Sequence, residues 1–300
     1  MANEKSVSII VPVYNACSTI ELCMESLCAL HWSAYEIFFV DDGSKDSTVQ
    51  LIQRLKGEDA RVRLIAGEHK GPAAARNAGI KAANGEYVFF TDSDVVVSAD
   101  WISGLMKCFT DEVGAVGGGV EAFSLATLCE QAEQLRYRNL YGDSPRFIEA
   151  LPTCNLAVRR DVLRVINGFD ERYCFASGED HDLCRRIRRA GWKIWFEPSI
   201  KIRHMHPRRL KNVLRRGYLH GGEAVRERVR SGESLLPVMD DNPLRTGPSY
   251  FLRVWKRFSG MAFRLRLIMC FYEYSYMAGV SWAFLRQRLA APSRTTEKIC

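Results

Sequence analysis

Asp92-Ser93-Asp94 is the part of this sequence most able to do chemistry. It directly follows the apolar run Tyr87 to Phe90. Two carboxylates two residues apart at a strand end can both face a hard divalent cation. Such a cation bridges and neutralises diphosphate oxygens. An Asp-x-Asp triplet alone is common on surface loops, so its value here comes from its place after a strand-like run.

Three further clusters carry polar groups of the right kind. Asp41-Asp42-Gly43-Ser44-Lys45-Asp46 offers carboxylates that can accept hydrogen bonds from a nucleobase or ribose. The same residues also make an ordinary turn and helix cap, which is the better reading of this cluster by itself. Gly71 to Gly79 is rich in alanine, so a helix there can approach a ligand closely. Arg76 in it suits a phosphate or base, or else a solvated face of a packed helix. Gly178-Glu179-Asp180-His181-Asp182 opens a basic helix. A helix N-terminus stabilises negative charge, and an ionised carboxylate beside an acceptor can take its hydroxyl proton. The alternative is structural capping by Ser177 or Glu179.

The elements that must position these groups alternate regularly. Val7 to Val13, Tyr35 to Val40, Arg61 to Ala66 and Tyr87 to Phe90 read as buried strands. Thr19 to Leu30, Ser47 to Lys56 and Pro72 to Ala83 between them read as helices. This rhythm predicts an α/β fold with a mixed, mainly parallel sheet flanked by helices. Ligands then gather at the carboxyl ends of the strands, and Pro12 to Asn15, Asp41 to Asp46 and Asp92 to Asp94 all fall there. Farther on, Val113 to Val120 and Leu151 to Val158 read as strands, and Lys193 to Phe196 and Ile200 to His204 as two short ones.

Taken in order, these clusters resemble glycosyltransferase family 2, whose members have the GT-A fold. The resemblance rests on Val11-Pro12-Val13-Tyr14-Asn15, Val40 to Ser44, Gly71 to Gly79, Thr91 to Asp94 and Gly178 to Leu183, and covers roughly residues 5 to 205. It implies that Pro12, Tyr14 and Asn15 line a nucleotide pocket, that Asp41 and Asp42 contact base or ribose, and that Arg76 holds the nucleotide. It implies Asp92, with Ser93, at the sugar or ribose, Asp94 on a metal, Asp180 as general base and Glu179 supporting it. His204, in a region where related enzymes bring a histidine to the metal or diphosphate, is the further candidate ligand. The implied activity is inverting, metal-dependent transfer of a sugar from a nucleotide diphosphate donor, UDP being the commonest base. The acceptor is a glycan or a lipid-linked molecule. Oxygen ligands indicate Mg2+ or Mn2+. The Gln-x-x-Arg-Trp pattern of processive synthases is missing. A sugar nucleotidyltransferase needs a Gly-rich basic loop after the first strand, where Tyr14-Asn15-Ala16-Cys17 stands instead. A binding scaffold is the other alternative, and donor turnover separates it from an enzyme.

The formal net charge of the 300 residues is +7, with the excess mostly beyond residue 185. That asymmetry suggests an anionic partner for the second half, or a solvated helix face. No nucleic-acid docking motif accompanies it, so nucleic acid is not an expected partner. The expected division is a catalytic domain over 1–206 and a basic, mostly helical extension over 207–300. Tyr250 to Leu289 combines aromatics with arginines, as an interfacial amphipathic helix or a packed helical pair would. Ser231 to Ser249 reads as a linker. The cysteines, with no CxxC pair, read as core residues in a reducing compartment. With no secretory signal at the N-terminus, the expected location is cytoplasmic, with peripheral association at the cytoplasmic face of the membrane.

Overall fold

Val7–Val13 forms β1, buried over nearly its whole length between neighbours on both sides. In this computed structural model, which describes residues 5–173, 175–231, 248–259 and 262–289, the strand pairs in parallel with β2 (Tyr35–Asp41) and β4 (Tyr87–Phe90). β3 (Val62–Ala66) continues the parallel side beyond β2. The order β3-β2-β1-β4 reverses direction between β1 and β4, so a crevice opens at their carboxyl ends. The ladder between β1 and β4 ends at Ile10, leaving Pro12 where one edge of the strand lacks a partner. A residue without an N–H is tolerated there.

Helices α1 (Ile20–Cys28), α2 (Thr48–Lys56) and α3 (Pro72–Ala82) connect these strands. The reason α1 forms and docks is its spacing: Ile20, Cys23, Met24 and Leu27 recur at three and four residues and are all buried. Pro72 stands in the first turn of α3, where its missing N–H costs nothing.

The sheet then becomes mixed. It runs on through β8 (Leu156–Arg159), β6 (Val113–Ala122), β9 (Lys193–His204) and β5 (Val95–Val96), with β7 (Arg146–Phe147) paired to β9. β8 is antiparallel to β4, in the register Tyr87↔Arg159 to Phe90↔Leu156. Its beginning therefore lies beside the end of β4. Two readings of the sequence are corrected here. Residues 151–158 are not one strand: Thr153–Asn155 make a 3-10 turn before β8 begins. The two short strands at 193–196 and 200–204 are a single β9, which accommodates an irregularity opposite Gly118 and Gly119. Asn155 explains both, since its buried amide spends its bonds on other elements. Its Nδ2 donates to the carbonyls of Gly119 and Ile200 at 2.9 and 3.0 Å, and its Oδ1 accepts from Trp101 Nε1 at 2.8 Å.

Four more helices follow in the chain: α4 (Trp101–Met106), α5 (Leu128–Tyr141), α6 (Arg160–Val165) and α7 (Glu179–Arg189). Beyond them lie α8 (Leu210–Ser231), α9 (Pro248–Arg257) and α10 (Phe263–Leu289). Most of the linker expected over 231–249 falls on 232–247, outside the described residues.

The chain divides into two compact units. One is residues 1–123 with 137–205; the other is 124–136 with 206–300. The second therefore takes in a segment, 124–136, that a single cut at 206 assigns to the first. Charge pairing within the second unit gives the reason. Glu133 is buried and bonded to Arg136 and Arg216 at 2.9 and 3.2 Å. Burial works against its charge, but the two guanidinium groups outweigh this and hold its carboxyl below the ordinary range. Helices α8 and α10 meet backbone to backbone. A methyl group at Gly221 would lie 1.8 Å from the Tyr276 carbonyl oxygen, and one at Gly279 would lie 1.9 Å from that of Tyr218. Among the described residues no helix is long and apolar enough to cross a membrane.

Candidate active site

The carboxyl ends of β1 and β2 carry loops that are tied to one another by side chains. Asn15 adopts a left-handed backbone (φ 50°), which asparagine tolerates. Its N–H donates to Ser44 Oγ at 2.9 Å and its Oδ1 accepts from the Lys45 N–H at 2.8 Å. Asp41 accepts from the backbone N–H groups of Gly43 and Ser44. Asp42 accepts from those of Lys70 at 2.7 Å and Gly71 at 3.0 Å, anchoring the start of α3. Both carboxylates thus shape the loops directly. Tyr14, well exposed, stacks on His69 with ring centroids 4.3 Å apart, an aromatic pair at the rim. His69 was not found by reading the sequence, because nothing local links it to Tyr14.

Arg76 is the centre of the interior. It is 3% exposed, which excludes the reading of a solvated face. Its Nη2 donates to Asp92 Oδ1 at 2.9 Å and its Nη1 to Glu179 Oε1 at 3.0 Å. Burial opposes its charge, but Asp92 and Glu179 outweigh burial and raise the guanidinium above its ordinary value. The guanidinium also lies 5.5 Å from the centroid of the Phe169 ring. The loop carrying Phe169 is pinned to α3 by Asn77, which donates to the Phe169 carbonyl at 2.9 Å and accepts from its N–H at 2.8 Å.

Glu179 and Asp180 open α7. The N-cap is Gly178 in a left-handed conformation (φ 87°), and no side chain caps the helix. Structural capping by Ser177 or Glu179 is therefore not what these residues do. Glu179 is 4% exposed, and its Oε2 is buried without a hydrogen-bond partner. Burial pushes its carboxyl up to about 7, Asp180 adds to the rise, and Arg76 opposes it. Asp180 is partly exposed, with Oδ1 accepting from the His181 N–H at 2.9 Å.

On the other side of Asp92, β9 brings its last residue to the same place. Val95 pairs with His204, and the Met205 N–H donates to the Asp94 carbonyl at 2.9 Å. His204 is buried, and its Nε2 lies 3.6 Å from Asp94 Oδ1. Ligands roughly 2.1 Å from one shared ion stand about 3–4 Å apart, so this pair fits a divalent cation between carboxylate and imidazole. Asp92, Cys154 and His204 also converge, with one ligand atom of each within 4.8 Å of the others. Cys154 precedes the antiparallel β8, and reading the sequence missed it. Only the strand's direction puts it beside Asp92. Burial holds its thiol well above the ordinary range, and Asp92, Asp94 and Asp180 add to this.

Within the first unit the structure joins Asp92 and Glu179 through Arg76, sets Asp94 beside His204 and places Asp180 next to Glu179 at the start of α7. Pro12, Tyr14, Asn15, Asp41 and Asp42 lie on the adjoining loops. Ser93 is partly buried between the two aspartates.

A sequence model of glycosyl transferase family 2 matches residues 8–165, just over half the chain. The chain belongs to glycosyltransferase family 2. A second model, the N-terminal domain of galactosyltransferase, matches residues 142–209, which include Glu179, Asp180 and His204. Among curated proteins, the family 2 chain is 29% identical over 250 residues to the pre-mycofactocin glycosyltransferase of Mycobacterium tuberculosis, covering 79% of this chain and 50% of that protein. It thus spans about half the length of that relative. It is 26% identical over 264 residues to the glycosyltransferase AglE of Haloferax volcanii, covering 83% of this chain and 79% of that one. Among solved structures, the mannosyltransferase PcManGT from Pyrobaculum calidifontis, in complex with GDP-Man and Mn2+, superposes with a TM-score of 0.65 at 18% identity, covering 97% and 89% of the two chains. TarS 1–349 of S. aureus, in complex with UDP, gives 0.55 at 14% identity, covering 96% and 93%. At such identities the likeness speaks for the fold, and the fold is GT-A.

Proposed function

We propose that this chain is an inverting, metal-dependent glycosyltransferase that moves a sugar from a nucleotide diphosphate donor to a glycan or lipid-linked acceptor. The observation that carries the reading is the joining of Asp92 to Arg76 and Glu179, with Asp94 and His204 3.6 Å apart beside them. A scaffold has no need of a buried, charged cluster at a crevice, because burying such charges costs several kcal/mol per ion, in the order-of-magnitude sense, unless geometry repays it. The named nucleotides of the solved neighbours, GDP-Man and UDP, support a nucleotide sugar and leave the base open between them. UDP is our first choice.

Asp94 and His204 are the residues that would hold Mg2+ or Mn2+. A bound ion supplies Lewis-acid neutralisation of the departing diphosphate. The chain's own residues do the rest. Tyr14 and the loop that Asn15 ties to Ser44 line the base and ribose. Arg76 holds Asp92 so that its carboxylate faces the donor sugar. Asp180, at the positive end of α7, takes the acceptor hydroxyl proton while the acceptor oxygen bonds to the anomeric carbon. The bond from that carbon to the diphosphate breaks with its electron pair on the leaving oxygen, and the configuration inverts.

Calorimetric titration tests the donor site. UDP, GDP, dTDP and CDP are each titrated with and without Mn2+ into wild type and Asp94→Ala. We expect one nucleotide to bind in the presence of Mn2+, with that metal-dependent gain lost in the variant. Folded wild type that binds none of them sinks the transferase reading in favour of a scaffold.

The second unit supports a membrane-proximal acceptor. Phe271, Tyr274, Ala278, Trp282 and Leu285 are exposed at three- and four-residue spacing on one face of α10. Exposed Arg253, Lys256, Arg257, Arg264 and Arg286 accompany them on α9 and α10. This is the composition of an interfacial helix at anionic lipid. Burying one large apolar side chain is worth about 1.5–3 kcal/mol. Phe271→Glu with Trp282→Glu should therefore lower co-sedimentation with phosphatidylserine vesicles about 100-fold. Equal pelleting of wild type and double variant rules the membrane face out.

A further inference from the structure

We infer that Cys154, Asp92 and His204 form a second, thiophilic metal site for Zn2+-class ions in the nucleotide-free protein. The site itself rests on three side chains; only its competition with Mn2+ rests on the transferase reading. Their ligand atoms all lie within 4.8 Å of one another. Zinc bonds to sulfur at about 2.3 Å and to nitrogen or oxygen at about 2.0–2.2 Å in a tetrahedron, so its ligands stand roughly 3.5 Å apart. A side-chain shift of about 1 Å closes the set. Sulfur, imidazole and carboxylate together favour zinc or cobalt over magnesium.

The surroundings support an ion there. Cys154 and His204 are buried, while the Asp92 side chain is 30% exposed and opens a way in. Arg76 engages one oxygen of Asp92, leaving the other for the ion. Three protein ligands leave a fourth position open, as in exchangeable zinc sites. On binding, the sulfur–metal bond forms as the thiol proton leaves to solvent; no electron is transferred. Because His204 serves both sites, a zinc ion here and the Mn2+ that accompanies nucleotide exclude one another. Zinc should then compete with Mn2+-dependent nucleotide binding.

Cobalt is the probe. Wild-type protein without nucleotide is titrated with Co2+ and the thiolate-to-cobalt charge-transfer absorption is followed. The band should saturate at one equivalent, disappear in Cys154→Ala and be displaced by Zn2+. Competition with a chromophoric chelator should show Zn2+ binding at least about 100-fold weaker in that variant, the upper end of losses seen when only an outer-shell partner is removed. Near-ultraviolet circular dichroism checks the fold. If Cys154→Ala does not fold, His204→Gln, which keeps every cysteine, must shift or weaken the band. Folded wild type without the band overturns the inference, as does a band of equal size in Cys154→Ala or an unchanged one in His204→Gln. Nucleotide binding that needs Mn2+ in a preparation with no cobalt band overturns this inference alone and leaves the donor-site reading standing.

Discussion

Asp180→Asn is expected to lower kcat by 10²–10⁴-fold, the usual contribution of a positioned general base, while the donor KM stays within about threefold. Asparagine keeps the size of the side chain and its place at the start of α7, so helix and pocket are unchanged; only the capacity to accept a proton is lost. The groups proposed to bind the donor lie elsewhere, on the loops after β1, β2 and β4. Nucleotide affinity by calorimetry should therefore match wild type, which a merely structural role for Asp180 would not guarantee. The measurement is steady-state turnover with the donor whose nucleotide the titrations select. A kcat within threefold of wild type removes Asp180 from the base role.

Arg76→Met should be the most destabilising single change in the site, by about 3–5 kcal/mol at pH 8, because it leaves the buried Glu179 without its counter-charge. The effect should depend on pH, and its sign follows from Glu179. Folding raises the carboxyl from its ordinary range up to about 7. The folded state thus holds that proton more tightly than the unfolded chain. Its stabilising contribution is complete below the unfolded value, near 4.3, and is lost as pH rises through 7. Removing Arg76 takes away the group that opposes the rise, so the variant should lose markedly more stability at pH 8 than at pH 5. Glu179→Gln should flatten the fall in stability between pH 5 and 8, and combining it with Arg76→Met should recover much of the loss. Urea unfolding followed by tryptophan fluorescence at the two pH values reads all four proteins. An Arg76→Met protein as stable as wild type at pH 8 contradicts the buried-pair account.

The polar clusters could be located before the fold was known because each is a short local pattern. An apolar run such as Tyr87 to Phe90 has to be a strand, and the acidic triplet that follows has to be at its end. The same holds for Val7 to Val13 with Tyr14 and Asn15, and for the glycine that lets α7 begin at Glu179. Arg76 was legible only as a helix residue of small neighbours. Whether it faced water or a ligand depended on α3 packing against β1 and β2, which no three-residue pattern encodes. The place of residues 124–136 in the second unit was not legible either, since it follows from charge pairs such as Glu133 with Arg216, more than eighty positions apart.

By itself, then, the sequence determined the alternation of strands and helices, the strand ends on which the carboxylates sit and the family to which the chain belongs. Those depend on periodicity and on residue types a few positions apart. The tertiary structure alone decided what the carboxylates face. The 3-10 turn at Thr153–Asn155 and the antiparallel direction of β8 set Cys154 beside Asp92, and the pairing of Val95 with His204 sets an imidazole beside Asp94. Strand order and direction come from burying both faces of the whole sheet at once. A site assembled from residues 76, 92, 154, 179 and 204 therefore exists only after that burial is complete.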